Sequence, residues 1–189
     1  YLISELSNAS IDTRDDVQII VTSDHGMTST PADKVIYLDD VLAPFLSSIN
    51  ISDYGPVPQI WSNDEAVTAG VMDALERTPH ITPWLKEDIP EKYHWQHNRR
   101  IPPITALADE GYSILKNRDS WLSKGNHGYD PDLPDMQAIL VAHGSKFKPG
   151  SSLPHVNNTE IFNLIGEILG IKTPPNNGTS PFFPGILEL

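Results

Sequence analysis

Val17-Gln18-Ile19-Ile20-Val21-Thr22-Ser23-Asp24-His25-Gly26-Met27 is the stretch whose reading decides the fold. Its first six residues form a short β-branched run without turn residues, the pattern of a strand buried on both faces in a parallel sheet. The run breaks at a polar loop that carries an aspartate, a histidine and a glycine. In open α/β sheets, ligands gather beyond the carboxyl ends of strands, which is where Asp24 and His25 fall. Carboxylate oxygen and imidazole nitrogen both bind zinc well. Adjacent side chains normally diverge, so the two reach a common ligand only if the backbone turns sharply, and Gly26 permits such a turn. On these residues alone, an exposed loop in which Asp24 caps a helix is the more ordinary reading.

Working outward, strands and helices alternate. Val35–Leu38, Val57–Trp61, Ile104–Ala108 and Gln137–Ala142 read as further strands. Leu2, Ile3 and Leu6 fit the last turns of a helix that ends near Ser10. Asp39 or Asp40 is placed to cap a short helix through Phe45 and Leu46. Asn63 or Asp64 is placed to cap a longer one to about Arg77, with Val67, Val71 and Leu75 on one face. Asn157, three residues before Glu160, resembles a capping box that opens a helix over about Asn158–Leu169, which Gly170 ends. Thr78–Pro103 reads as irregular, and Asn117–Asp135 as a polar loop. The alternation predicts an α/β fold with a mainly parallel sheet flanked by helices.

Composition narrows the function classes. Twenty-five acidic residues against 13 basic ones leave a formal charge of -12. That balance argues against nucleic-acid binding, which needs a basic surface to neutralise phosphates. It leaves room for an enzyme of phosphate esters whose metal ions supply the local positive charge. The chain has no cysteine, which removes disulfides and thiolate ligands from consideration. No segment approaches the ~18 apolar residues of a membrane-spanning helix. Four triplets, at Asn8, Asn50, Asn157 and Asn177, fit the N-x-S/T glycosylation acceptor and point to the secretory pathway. Tyr1-Leu2-Ile3-Ser4-Glu5 has neither an initiator Met nor a signal-peptide pattern, so the chain reads as beginning in mid-protein or as processed.

A second chemistry-bearing segment is Lys124-Gly125-Asn126-His127-Gly128-Tyr129. A histidine closely flanked by two glycines suits tight backbone geometry beside a ligand, and equally an ordinary loop. Metal centres are assembled from residues distant in sequence, so two such segments weigh more than one. Among other candidates, His94 and His97 lack an acidic partner at ligand spacing and read as part of an aromatic cluster with Tyr93 and Trp95. Arg99 and Arg100 read as a solvated or salt-bridged pair, and His143 as a hydrogen-bonded structural histidine. Asp130, Asp132 and Asp135 lack the glycine and terminal glutamate of a calcium loop.

Taken together, VTSDHGM (21–27), EKYHWQHNRRIPP (91–103), GNHGYDPDLPDMQAILVAHGSKFKPG (125–150) and NNTEIFNLIGEILGIKTPPNNGT (157–179) resemble the nucleotide pyrophosphatase/phosphodiesterases of the alkaline phosphatase superfamily. The order and approximate spacing hold from Val17 to about Ser180. The resemblance implies that residues 1–189 are the C-terminal portion of one phosphodiesterase catalytic domain whose N-terminal portion is absent. It implies two zinc ions and a phospho-threonine route for hydrolysing nucleotide pyrophosphate or phosphodiester bonds. By position, Asp24 and His25 match ligands of the zinc that activates the nucleophile, and His127 matches a ligand of the other zinc.

In that family the nucleophilic threonine and the remaining ligands precede the DHGM stretch, and Thr28 and Thr30 match no nucleophile position. The isolated chain is therefore expected to bind zinc weakly and to hydrolyse nothing without the missing N-terminal part. The resemblance also implies a nucleotide or other small phosphodiester substrate, no sequence-specific nucleic-acid binding, and an extracellular or lumenal location. Lack of cysteine departs from many animal members. Two alternatives remain open: an ethanolamine-phosphate transferase of the same superfamily, and a non-catalytic truncated glycoprotein or interaction module.

Overall fold

The computed structural model describes residues 4, 5, 8, 17–153, 155–179 and 185–188, so the apolar residues expected to close an N-terminal helix, Leu2, Ile3 and Leu6, lie outside the described residues. In chain order the strands are β1 (Ile19–Thr22), β2 (Thr28–Ser29), β3 (Val35–Tyr37), β4 (Asn50–Asp53), β5 (Gln59–Trp61), β6 (Ile81–Leu85), β7 (Ile104–Ala108), β8 (Ser113–Leu115), β9 (Gly125–Asn126) and β10 (Leu140–His143). The helices are α1 (Leu38–Val41), α2 (Glu65–Glu76) and α3 (Glu160–Leu169). The chain divides into two compact units, Tyr1–Asp24 with Ala138–Leu189, and His25–Gln137.

In the first unit, β1 pairs antiparallel with β10, Ile19 opposite His143 and Thr22 opposite Leu140. The parallel pairing expected of Val17–Thr22 is corrected by this antiparallel match to β10. An apolar β-branched run records a tendency to be covered, and carries no information on strand direction. Val21 and Val141 are in fact 50% and 60% exposed. His143 is exposed at the end of β10, so the expected structural histidine is a surface residue.

α3 packs Leu164 and Ile168 against Phe147, Ile20, Leu153 and Val156. It ends at Gly170, whose φ of 65° takes the left-handed conformation that a side chain disfavours. The capping box expected at its start is absent: Thr159 is the N-cap, with no side-chain cap. Glu160 is instead buried, and its carboxylate accepts from the Thr179 N–H at 2.8 Å and from the Thr179 hydroxyl at 3.0 Å. A buried carboxylate must find donors, and Thr179 offers two where Asn157 would offer one.

The second unit holds a four-stranded antiparallel sheet in the order β4-β5-β7-β6. Across the described residues only β3 and β8 pair in parallel, so the mainly parallel expectation does not describe this chain's own pairings. α2 begins where the sequence indicated: the Asp64 carboxylate accepts from the Ala66 and Val67 N–H groups at 2.8 and 3.0 Å. Its buried Val71 and Leu75 join Ile60, Ile81, Ile104 and Ile114 in one core. Each such side chain contributes about 1.5–3 kcal/mol on burial.

α1 starts two or three residues earlier than expected and ends at Val41 rather than running through Phe45 and Leu46, so Asp39 and Asp40 lie in its first turn and Tyr37 is an N-cap without a side-chain bond. β6 falls inside the segment read as irregular. Pro83 hides it from sequence patterning, yet β6 is the outer strand of its sheet, where a residue without an N–H is tolerated.

Candidate functional site

The second unit brings His25 and His127 together. The two-residue strand β2 follows directly after Met27, and β9 directly precedes His127. They pair antiparallel, Thr28 opposite Asn126 and Ser29 opposite Gly125, and the Thr30 N–H extends the ladder to the Lys124 carbonyl at 3.1 Å. Two loops 102 positions apart in sequence are thereby zipped so that their histidines meet. The imidazoles lie face to face with centroids 3.6 Å apart and planes 15° from parallel.

His25 is half-buried and His127 exposed. The Nδ1 of His25 lies 2.7 Å from the Gly26 carbonyl oxygen. A carbonyl only accepts, so Nδ1 carries the proton and the ring's lone pair sits on Nε2. That is the arrangement in which metal-ligating histidines are usually held. His127 is set by its own neighbour, its N–H donating to the Asn126 side-chain oxygen at 2.9 Å. Gly128 follows at φ 94°, a conformation that a side chain would strain.

Asp24 closes the first unit beyond β1 and is exposed. Among the described residues, no group of three or more His, Cys, Asp and Glu is placed to hold a metal ion. The donors fit zinc in kind, imidazole nitrogen being a common zinc ligand, but not in number, since a closed zinc site takes four. Thr28 and Thr30 are both buried, and the Thr30 hydroxyl donates to the Ser123 carbonyl at 2.6 Å, a structural use of the side chain.

The loop that carries His127 is braced from the far side. Lys92 donates to Asp130 at 2.7 Å and to Asp132 at 2.9 Å, and the Tyr93 hydroxyl donates to Asp130 at 3.0 Å. Burial pushes the Asp130 carboxyl up, but the hydrogen bonds from Lys92, the Asp132 N–H and Tyr93 together hold it below the usual carboxylate range. Burial pushes the Tyr129 phenol up to about 12, with the charge of Glu110 adding to the shift and a hydrogen bond with Ser113 opposing it. Nothing in the sequence marks the Lys92 brace, because its partners lie 38 and 40 positions away.

Trp84, Tyr93 and Trp95, with Val57, Ile89 and Tyr129, line a small apolar cleft. The aromatic cluster read around His94 and His97 is therefore a packing feature. Arg99 and Arg100 are exposed, as are the four acceptor asparagines Asn8, Asn50, Asn157 and Asn177. No helix among the described residues is long and apolar enough to cross a membrane.

Comparison with known proteins places these features among relatives. The family model described as type I phosphodiesterase / nucleotide pyrophosphatase matches residues 1–130. The chain is 39% identical to the bis(5'-adenosyl)-triphosphatase enpp4 of Xenopus laevis over 180 residues, covering 95% of this chain and 38% of that protein. It is 38% identical over 180 residues to the human ectonucleotide pyrophosphatase/phosphodiesterase family member 5, covering 95% and 37%. The solved murine member 5 superimposes on it with a TM-score of 0.90 at 38% identity, covering 100% of this chain and 49% of that one. An inactive variant of the murine protein in complex with AMP gives a TM-score of 0.89. The chain thus has the fold of that α/β enzyme and spans less than half the length of each of these relatives.

Proposed function

Because the chain belongs to the type I phosphodiesterase / nucleotide pyrophosphatase family, we propose that it is the C-terminal part of a zinc-dependent hydrolase of nucleotide phosphodiester or pyrophosphate bonds. In this reading it supplies Asp24, His25 and His127 to a site completed by the rest of the domain. The observation that carries it is the stack of His25 on His127. The stack brings together two imidazoles from distant loops, whose nitrogens would help hold the zinc ions of the completed domain. Bound there, such ions polarise phosphoryl oxygens and stabilise the attacking and leaving oxygens of an in-line displacement.

This chain's own residues hold and orient. The Gly26 carbonyl keeps the His25 proton on Nδ1, and the β2–β9 ladder keeps the two rings adjacent. The nucleophilic threonine of the phospho-threonine route is assigned to the missing portion, consistent with the buried, structurally engaged Thr30. A nucleotide substrate is supported by the printed name of the frog relative and by the AMP held by the murine variant.

The partner of this chain is the remaining part of the same domain. α3 is apolar on two sides: Leu164 faces its own core, while Phe162, Ile165 and Leu169 are 49%, 43% and 62% exposed. A second apolar helix face left exposed in this way is one that expects cover, and so is the sheet face that exposes Val21, Ile139 and Val141. The exposed acceptor asparagines support passage through the secretory pathway to an extracellular or lumenal location.

The test is hydrolysis of a nitrophenyl nucleotide ester with added zinc. It compares the chain alone with the domain completed by the portion that relatives carry before it. The completed domain turns over and a chelator abolishes it, while the chain alone is inactive. Turnover by the isolated chain contradicts its incompleteness, and an inert completed domain contradicts the hydrolase reading in favour of a non-catalytic glycoprotein.

A further inference from the structure

We propose that Gly26 is the positioning residue of His25, held by the backbone turn Pro134–Met136, an inference that rests on the reading of His25 as a metal ligand. Both peptide groups that flank the Gly26 Cα are engaged. Its N–H donates to the Met136 carbonyl at 3.0 Å, and its own carbonyl takes the His25 Nδ1 proton at 2.7 Å.

The space beside that Cα is closed. A Cβ built on Gly26 would lie 2.0 Å from the Asp135 carbonyl oxygen, 2.8 Å from its carbon and 2.8 Å from the Gln137 carbonyl oxygen. These are backbone atoms of a turn that is itself pinned, Met136 N–H to Leu133 and Gln137 N–H to Pro134, so they cannot swing aside as a flexible side chain would. Gly26 is not among the glycines at positive φ. Its requirement for glycine is therefore one of space, and concerns how closely the His25 loop approaches the turn.

Any side chain at position 26 must push the loop off the turn by an ångström or more to restore ordinary contact. His127 does not simply follow, because its loop is also held away from the His25 loop, where the Tyr129 hydroxyl donates to the Tyr112 carbonyl at 2.9 Å and Lys92 donates to Asp130 at 2.7 Å. The displacement thus shifts the His25 ring against His127, and the backbone adjustment at position 26 reorients the carbonyl that accepts the His25 Nδ1 proton. Outer partners of this kind typically contribute 10–100-fold to metal affinity.

The experiment reads the ring nitrogens of His25 and the mutual ring-current shifts of His25 and His127 by NMR in the full chain. Zinc affinity is measured alongside, by competition with a chromophoric chelator. In the unsubstituted chain His25 carries its proton on Nδ1 and both rings show stacking shifts. Gly26→Ala loses both signatures and binds zinc about 10–100-fold more weakly, with the methyl resonances of the Ile60, Leu75 and Ile104 core unchanged. Asp135→Asn changes none of these, because only the backbone of Asp135 meets Gly26.

Retention of both ring signatures in Gly26→Ala overturns the proposal. So does a proton on Nε2 of His25 in the unsubstituted chain, a result that stands even if the alanine variant does not fold. If the signatures are lost as expected but zinc moves neither ring in the unsubstituted chain, the positioning role holds and the metal-ligand reading fails.

Discussion

His25 and His127 stack ring on ring at 3.6 Å although 102 positions separate them in sequence. The contact depends on a ladder of only two residue pairs, Thr28–Asn126 and Ser29–Gly125. Strands this short carry no periodicity, and their formation is enforced by the loops they tie. If the stack serves the chemistry, removing either ring costs the completed enzyme more than the 10–100-fold typical of an outer-shell loss. His25→Ala and His127→Ala are accordingly expected to lower kcat/KM by more than about 100-fold in the completed domain, as measured by nucleotide ester hydrolysis.

The Lys92 brace predicts an acid-sensitive contribution to stability. Asp130 is held below its ordinary range in the fold. Its stabilising share is therefore fully present above the unfolded carboxylate value of about 3.9 and is lost as pH falls through the lower folded value. Denaturant midpoints of the chain and of Lys92→Met are expected to differ above about pH 4 and to converge at lower pH. Equal midpoints throughout would show that the bridge contributes nothing.

Tyr129 predicts the opposite limb. With its phenol pushed up to about 12 against about 10 when unfolded, the folded chain binds the proton more tightly over that interval. Stability is full below about pH 10 and declines as pH rises toward 12. Tyr129→Phe is expected to flatten that decline while lowering stability at neutral pH, because the hydrogen bond to the Tyr112 carbonyl is lost. Chemical denaturation at pH 8 and in the alkaline range measures both effects.

How much of this is legible in the sequence depends on the range of the interactions. Asp64 at the start of α2 and Gly170 at the end of α3 were readable because caps act within a few residues. The four strings that resemble the family carry the fold class, and their residue types point to Asp24, His25 and His127 as candidates. What could not be read is what depends on distant partners. The Ile19–Ile20–Val21 run records apolarity but not the antiparallel match to β10. Glu160 has the spacing of a capping box, yet is claimed by Thr179, 19 positions on. β6 was obscured by Pro83, whose tolerance depends on lying at a sheet edge.

Local capping gives a calibration of the fold description. Asp64→Ala removes the acceptor of the Ala66 and Val67 N–H groups. It is expected to cost about 1 kcal/mol, seen as a lower urea midpoint with an unchanged slope. A neutral substitution would place the start of α2 elsewhere.

Glu160→Ala is expected to cost about 1 kcal/mol, because it removes the hydrogen bonds that tie Thr179 to the start of α3. It should also release the segment after Gly170, exposing Ile171–Thr179 to limited proteolysis before the core is cut. Cleavage at the same rate as in the unsubstituted chain would contradict the role of Glu160 as its anchor.

The central claim, that His25 and His127 belong to a metal site, is tested most directly by titrating the full chain with zinc and following the ring resonances of all seven histidines. The account predicts that His25 and His127 shift together, ahead of His80, His94, His97, His143 and His155, and return on addition of a chelator. A titration in which zinc leaves both rings unmoved, or engages the other histidines first, would contradict it.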